Sequence, residues 1–141
     1  MNTSIIQDEV LAHRIGLIPI GVDPRKLDYV VGEEETDKDT LVFHFDVECK
    51  NEYSGVIKAN GEKAFVNENA LSGSLTWLPQ GSQNEVFPEG VKPVHDDIVV
   101  AKLKPGQRIE FEAHCRKGVG KDHTKFSPVA TASYRLLPGQ F

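Results

Sequence analysis

The sequence predicts an α+β domain: one N-terminal helix followed by mainly antiparallel strands. Two segments carry the strands. Leu41, Phe43, Phe45, Val47 and Cys49 share one face of an extended chain, and His44, Asp46 and Glu48 share the other. Ile109, Phe111, Ala113 and Cys115 alternate in the same way with Arg108, Glu110, Glu112 and His114. A helical period precedes both.

That helix is expected from Asn2 to Ile20, capped by Asn2, Thr3 or Ser4 and stopped by Pro19. Gln7 stands three residues after Ser4, the spacing of a capping box. At about 100° per residue its apolar side chains fall into two stripes. Ile6, Val10 and Leu17 form one, with His13 among them; Leu11, Ile15 and Ile18 form the other. One stripe suffices to pack a surface helix on its own core. Two predict a helix covered from two directions.

Residues 21–40 hold Asp23-Pro24 and then an acidic run at 33–39, so they read as a turn and a loop. After the strand at 41–49 comes a polar, Gly-punctuated stretch with a hairpin signal at Asn60-Gly61 and a short strand near Ala64-Phe65-Val66. Leu75–Leu78 is a strand ended by Pro79, and 81–93 an irregular loop with Phe87-Pro88 as anchor. The β-branched run Asp97–Leu103 reads as a more buried strand. It is expected to form a hairpin with Ile109–Cys115 across Lys104-Pro105-Gly106-Gln107. A last strand is expected over Ala130–Leu136.

Between the last two strands lies Arg116-Lys117-Gly118-Val119-Gly120-Lys121-Asp122-His123-Thr124-Lys125-Phe126-Ser127-Pro128, a cationic, glycine-broken loop held at both ends. Gly118-Val119-Gly120-Lys121 lacks the spacing and following helix of a phosphate-binding loop. Asp122-His123 has no oxyanion element and no nucleophile but Ser127. In His95-Asp96-Asp97 at most two side chains of a strand share a face, too few for a tight metal site. No catalytic residue, metal site or cofactor is therefore expected.

The 141 residues carry a net charge of −5, which argues against nucleic-acid binding by the whole surface. Cys49 and Cys115 each lie in an alternating apolar stripe and read as reduced thiols, as in an intracellular protein. No apolar run approaches the length of a membrane span, and the N-terminus lacks a signal-peptide pattern.

Three long motifs carry a family resemblance. Asn2 through Ile20 resembles a helix of the alpha-like RNA polymerase subunits, the family of bacterial alpha, its archaeal counterpart and the eukaryotic third-largest subunits. Phe87–Gly90 with Pro93–Ile98, and Lys117–His123 with Lys125–Arg135, are most similar to the branch shared by RNA polymerases I and III.

The resemblance implies that 1–20 belongs to a dimerisation domain, that 21–130 is the strand-rich insert domain, and that 131–141 returns toward the dimerisation domain as a truncated strand. It implies a non-catalytic scaffold in the nucleus (nucleolus and nucleoplasm), reaching DNA only through the complex and having no membrane partner. Ile6, Val10, Leu11, His13, Arg14, Ile15, Leu17 and Ile18 would meet a smaller alpha-like subunit. Arg116, Lys117, Lys121, Asp122, His123, Lys125 and Phe126 would meet the second-largest subunit. Some relatives hold zinc or an iron–sulfur centre on a cysteine cluster; this chain lacks that cluster, so no metal is carried over. The alternative is direct nucleic-acid contact by the basic loop, weakened by the lack of aromatics interleaved with its cations.

Overall fold

The computed structural model describes residues 1–32 and 34–139; Glu33, in the acidic run, and Gln140 and Phe141, at the end of the expected return segment, lie outside it. Helix α1 (Asp8–Gly16) is followed by β1 (Ile20–Gly21), β2 (Thr40–Glu48), β3 (Tyr53–Ile57), β4 (Lys63–Phe65), β5 (Asn69–Leu71) and β6 (Leu75–Leu78). Then come α2 (Gln83–Val86), β7 (Lys92–Pro93), β8 (Val99–Lys102) and β9 (Arg108–Arg116).

The centre is an antiparallel sheet in the order β6-β2-β9. Leu41, Phe43, Phe45, Val47 and Cys49 are all buried, as their alternation predicts. Opposite them on β9, Phe111 stacks on Phe45 with centroids 4.9 Å apart, and Ile109 is fully buried. Three small antiparallel pairs surround this sheet: β1 with β7, β3 with β4, and β5 with β8. Asn60-Gly61 does turn a hairpin: Gly61 has φ +83°, and Lys58 N–H donates to Glu62 O at 2.8 Å.

The expected pairing of Asp97–Lys102 with Ile109–Cys115 is corrected. Strand β8 pairs with β5, and β9 pairs with β2 along its whole length, Thr40↔Arg116 to Glu48↔Arg108. The turn explains why. Gly106 N–H donates to Cys49 O and Cys49 N–H to Gln107 O, so the turn is stitched to the end of β2 rather than closing on β8. A nine-residue apolar partner then outcompetes a four-residue one.

The helix is shorter than the Asn2–Ile20 expected. Residues 1–3 are extended instead, with Asn2 bridged to Ile109 and Thr3 N–H donating to Arg108 O at 3.0 Å. The Asn2 side chain holds the turn that follows, accepting from Ser4 N–H and donating to Ile6 O and Asp8 Oδ1. Gln7 occupies the N-cap without a side-chain bond, so no capping box forms.

Ala130–Leu136 is not a strand. Its alternation is real, yet no strand pairs with it among the described residues, and Tyr134 is 92% exposed. The loop at 81–93 holds a feature the residue pattern did not show. Gln83 is buried and its amide donates to Asp37 O at 2.8 Å and Thr40 O at 2.7 Å, pinning the acidic loop to the start of β2. Phe87 is buried edge-on to Trp77, which makes it the anchor expected there.

Candidate partner-binding surface

The two stripes of α1 have different fates. Leu11 and Ile18 are buried and Ile15 half-buried against the core, joined by Ile6 just before the helix. Val10 and Leu17, each 50% exposed, face outward with His13. Arg14 is committed internally: its guanidinium donates to the carbonyls of Val100 and Val99, each at 3.0 Å, fastening α1 to β8.

The basic loop also divides. Arg116 pairs with Glu35, which also contacts His114. Lys117 donates to Leu27 O at 3.0 Å and lies 4.5 Å from the centre of the Tyr29 ring. These two cations hold the segment before β2 against the end of β9. Sequence reasoning missed Leu27, Tyr29 and Glu35 as the counterparts; the opposite charges of residues 33–39 and 116–125 were the signal that could have found Glu35. Lys121, Asp122 and His123 remain exposed. Phe126 is half-buried under Gly118, where a Cβ would lie 2.5 Å from its ring. Only glycine fits there.

Helix and loop meet. The His13 and His123 rings are 5.9 Å apart at 72°, and the Lys125 stem reaches Gly16. The outer stripe of α1 and the tip of the loop therefore form one continuous surface, apolar on one side and cationic on the other. Beneath it, between α1 and β9, lies a cleft of about 940 Å³ lined by Leu11, Ile15, Phe43, Phe111 and Cys115.

Electrostatics at this end follow the ion pairs. The hydrogen bonds that the His114 ring donates to Glu112 and then to Glu35 favour its protonated form and raise its pKa above the ordinary 6.5. The Arg116 guanidinium, then His114, holds Glu35 below its ordinary range. Burial pushes the Cys115 thiol up, which keeps it protonated and poorly nucleophilic. His123 Nδ1 accepts from Lys125 N–H at 3.1 Å, a turn cap. Among the described residues no three His, Cys, Asp or Glu side chains converge to hold a metal.

The fold and this surface define an alpha-type polymerase module. The family model described as RNA polymerase Rpb3/RpoA insert domain matches residues 2–134, and the chain belongs to that family. It is 54% identical to the human DNA-directed RNA polymerases I and III subunit RPAC1 over 97% of this chain and 41% of that protein. The Saccharomyces cerevisiae subunit of the same name is 46% identical over 97% of this chain and 43% of its own. The Pyrobaculum aerophilum polymerase subunit Rpo3 is 34% identical, with 97% and 45% covered. The chain thus spans about two fifths of the length of these relatives.

Proposed function

We propose that this chain is the insert-domain region of a non-catalytic assembly subunit of DNA-directed RNA polymerases I and III. The observation that carries the reading is the 54% identity to a subunit of those enzymes over nearly the whole chain. In this reading residues 1–20 are part of a dimerisation domain, 21–130 form the insert domain, and 131–141 return to the dimerisation domain. The outer stripe of α1 (Val10, His13 and Leu17) binds a smaller alpha-like subunit. The loop tip, Lys121 to Lys125, docks the second-largest subunit, and the complex works in the nucleus, nucleolus and nucleoplasm, on ribosomal and small RNA genes. Leu11, Ile15, Ile18, Arg14, Arg116 and Lys117 support that surface from within, because their contacts are already made inside this domain.

Direct nucleic-acid binding is the weaker reading, since two of the loop's four cations are committed to Glu35 and Leu27. Co-purification of the tagged full-length chain with both subunits tests the proposal. Capture that survives a salt rise from about 50 to 200 mM supports a packed protein interface. Capture of nucleic acid alone, lost steeply over that range, would reject it.

A further inference from the structure

Arg14 stands four residues after Val10 and three before Leu17, so it shares the outer face of α1 with them. His13 borders that stripe on the side of the basic loop. Arg14 borders it on the other side, where its guanidinium holds the carbonyls of Val99 and Val100. Beyond Leu17 the chain stays beside the same segment: Val94 N–H donates to Pro19 O at 2.9 Å, and the Val94 side chain lies beside Gly21. Residues 94–99 therefore flank the outer stripe of α1. Val94 and Val99 are exposed there. Asp97, two positions before Val99, is exposed as well, while Ile98 between them packs on the core.

The backbone of this segment is fixed and its acids are free. Ser72 is fully buried, and both bonds of its hydroxyl go to residues 94–99: it donates to His95 O at 2.5 Å and accepts from Ile98 N–H at 3.2 Å. Ser72 N–H donates to Ile98 O at 2.9 Å and Gly73 N–H to Asp96 O at 3.0 Å. The His95, Asp96 and Asp97 side chains are exposed, and none has a hydrogen-bond or ion-pair partner among the described residues. Glu35, Asp37, Asp39, Asp46 and Glu68, by contrast, are all engaged. Arg14, the cation on this flank, bonds carbonyls and no carboxylate. Acids held on a rigid backbone lose little further freedom when a partner's cation arrives.

We propose that residues 94–99 extend the docking face of α1, and that the smaller alpha-like subunit covers both with one apolar stripe, bordered on this side by a lysine or arginine that pairs with Asp97. Charge selects the occupant. An apolar centre of Val10, Leu17 and Val99 with Asp96 and Asp97 along one border complements an amphipathic segment with a basic border and repels one with an acidic border. The proposal rests on α1 being that subunit's site, as read above, and adds a second element and a charge to it.

The test co-expresses the full-length chain with the smaller and the second-largest subunits and measures capture of each. Asp97→Lys should weaken capture of the smaller subunit by about tenfold at about 0.1 M salt, and much less at about 1 M, where charges are screened. Asp97→Asn should weaken it in the same direction by less. Both variants should melt with the parent chain, since Asp97 has no partner to lose. Leu17→Asp is the reference. If it abolishes capture and neither Asp97 variant alters it, α1 alone is the site: the proposal is overturned and the reading of α1 stands. If none of the three weakens capture, both fall. Weakening by the Asp97 variants alone also overturns the proposal, because a shared stripe requires both elements. So does a loss confined to the second-largest subunit, or to self-association of the chain on its own, either of which would give the face to that partner.

Discussion

His13 on α1 and His123 in the basic loop touch edge to face, with ring centroids 5.9 Å apart. Two segments separated by most of the domain are thereby joined into one surface, and substitutions on either side of the contact should report on the same binding event.

The helix gives the sharpest contrast. Leu17, 50% exposed, and Leu11, 5% exposed, belong to different stripes of one short element. Leu17→Asp should weaken capture of the smaller alpha-like subunit by about tenfold or more while leaving thermal unfolding nearly unchanged. Leu11→Asp should unfold the domain, because it places an unpaired charge among apolar neighbours. Parallel pull-downs and melting curves separate the two.

In the loop, Lys121→Glu should slow association with the second-largest subunit and alter its salt dependence, since exposed charges steer encounter more than they hold a complex. Stability should move by no more than about 0.5 kcal/mol. Unchanged association rates at low salt would remove Lys121 from the interface.

Gly118→Ala drives a methyl group into the Phe126 ring. Overpacking of this kind costs about 1–3 kcal/mol. The loop should become more sensitive to limited proteolysis between residues 117 and 128. Phe126→Leu in the same chain should recover part of the loss.

The Glu35–His114–Glu112 cluster gives a pH dependence of definite sign. The folded His114 pKa is raised, by Glu112 and then Glu35, so its contribution is complete below the ordinary value of 6.5 and is lost as pH rises through the folded value. The folded Glu35 pKa is lowered, by Arg116 and then His114, so its contribution is complete above 4.5 and lost as pH falls through the folded value. The acidic segment should therefore be held best between those two ordinary values and loosen above them as His114 deprotonates. His114→Gln should flatten the upper limb, read as proteolysis of residues 34–39 against pH.

Core and tail should differ as strongly as any two sites in the chain. Phe45→Ala empties a fully buried position and should cost about 3–5 kcal/mol. Tyr134→Ala, at a 92% exposed position, should leave the melting temperature where it was.

What could be read from the residues alone follows from the range of the forces involved. The alternation of β2 and β9, the Asn60-Gly61 turn and the inner stripe of α1 are local patterns, and each is present, whereas Ile6, expected in the outer stripe with Val10 and Leu17, packs on the core with the inner one. Which strand pairs with which is not local. The Pro105-Gly106 turn suggested β8 with β9, but backbone bonds from that turn to Cys49 decide otherwise. Likewise Asn2 signals a helix cap in isolation, and only the neighbouring edge of β9 makes residues 1–3 extended. At the candidate surface the residue types were legible. The division of the cations into internal fasteners and an exposed tip depended on Glu35, Leu27 and Tyr29, far off in sequence.

The central place of β2 bears on how the chain is made. Asp46 on β2 and its bidentate partner Arg108 on β9 are 62 positions apart, so the apolar face of β2 leaves the ribosome well before its longest partner exists. At about 5–20 residues per second that interval is roughly 3–12 seconds. During it Phe43 and Phe45 have only the shorter β6 to pair with and Leu41 has no strand partner, and a nascent chain in that condition is one that chaperones hold.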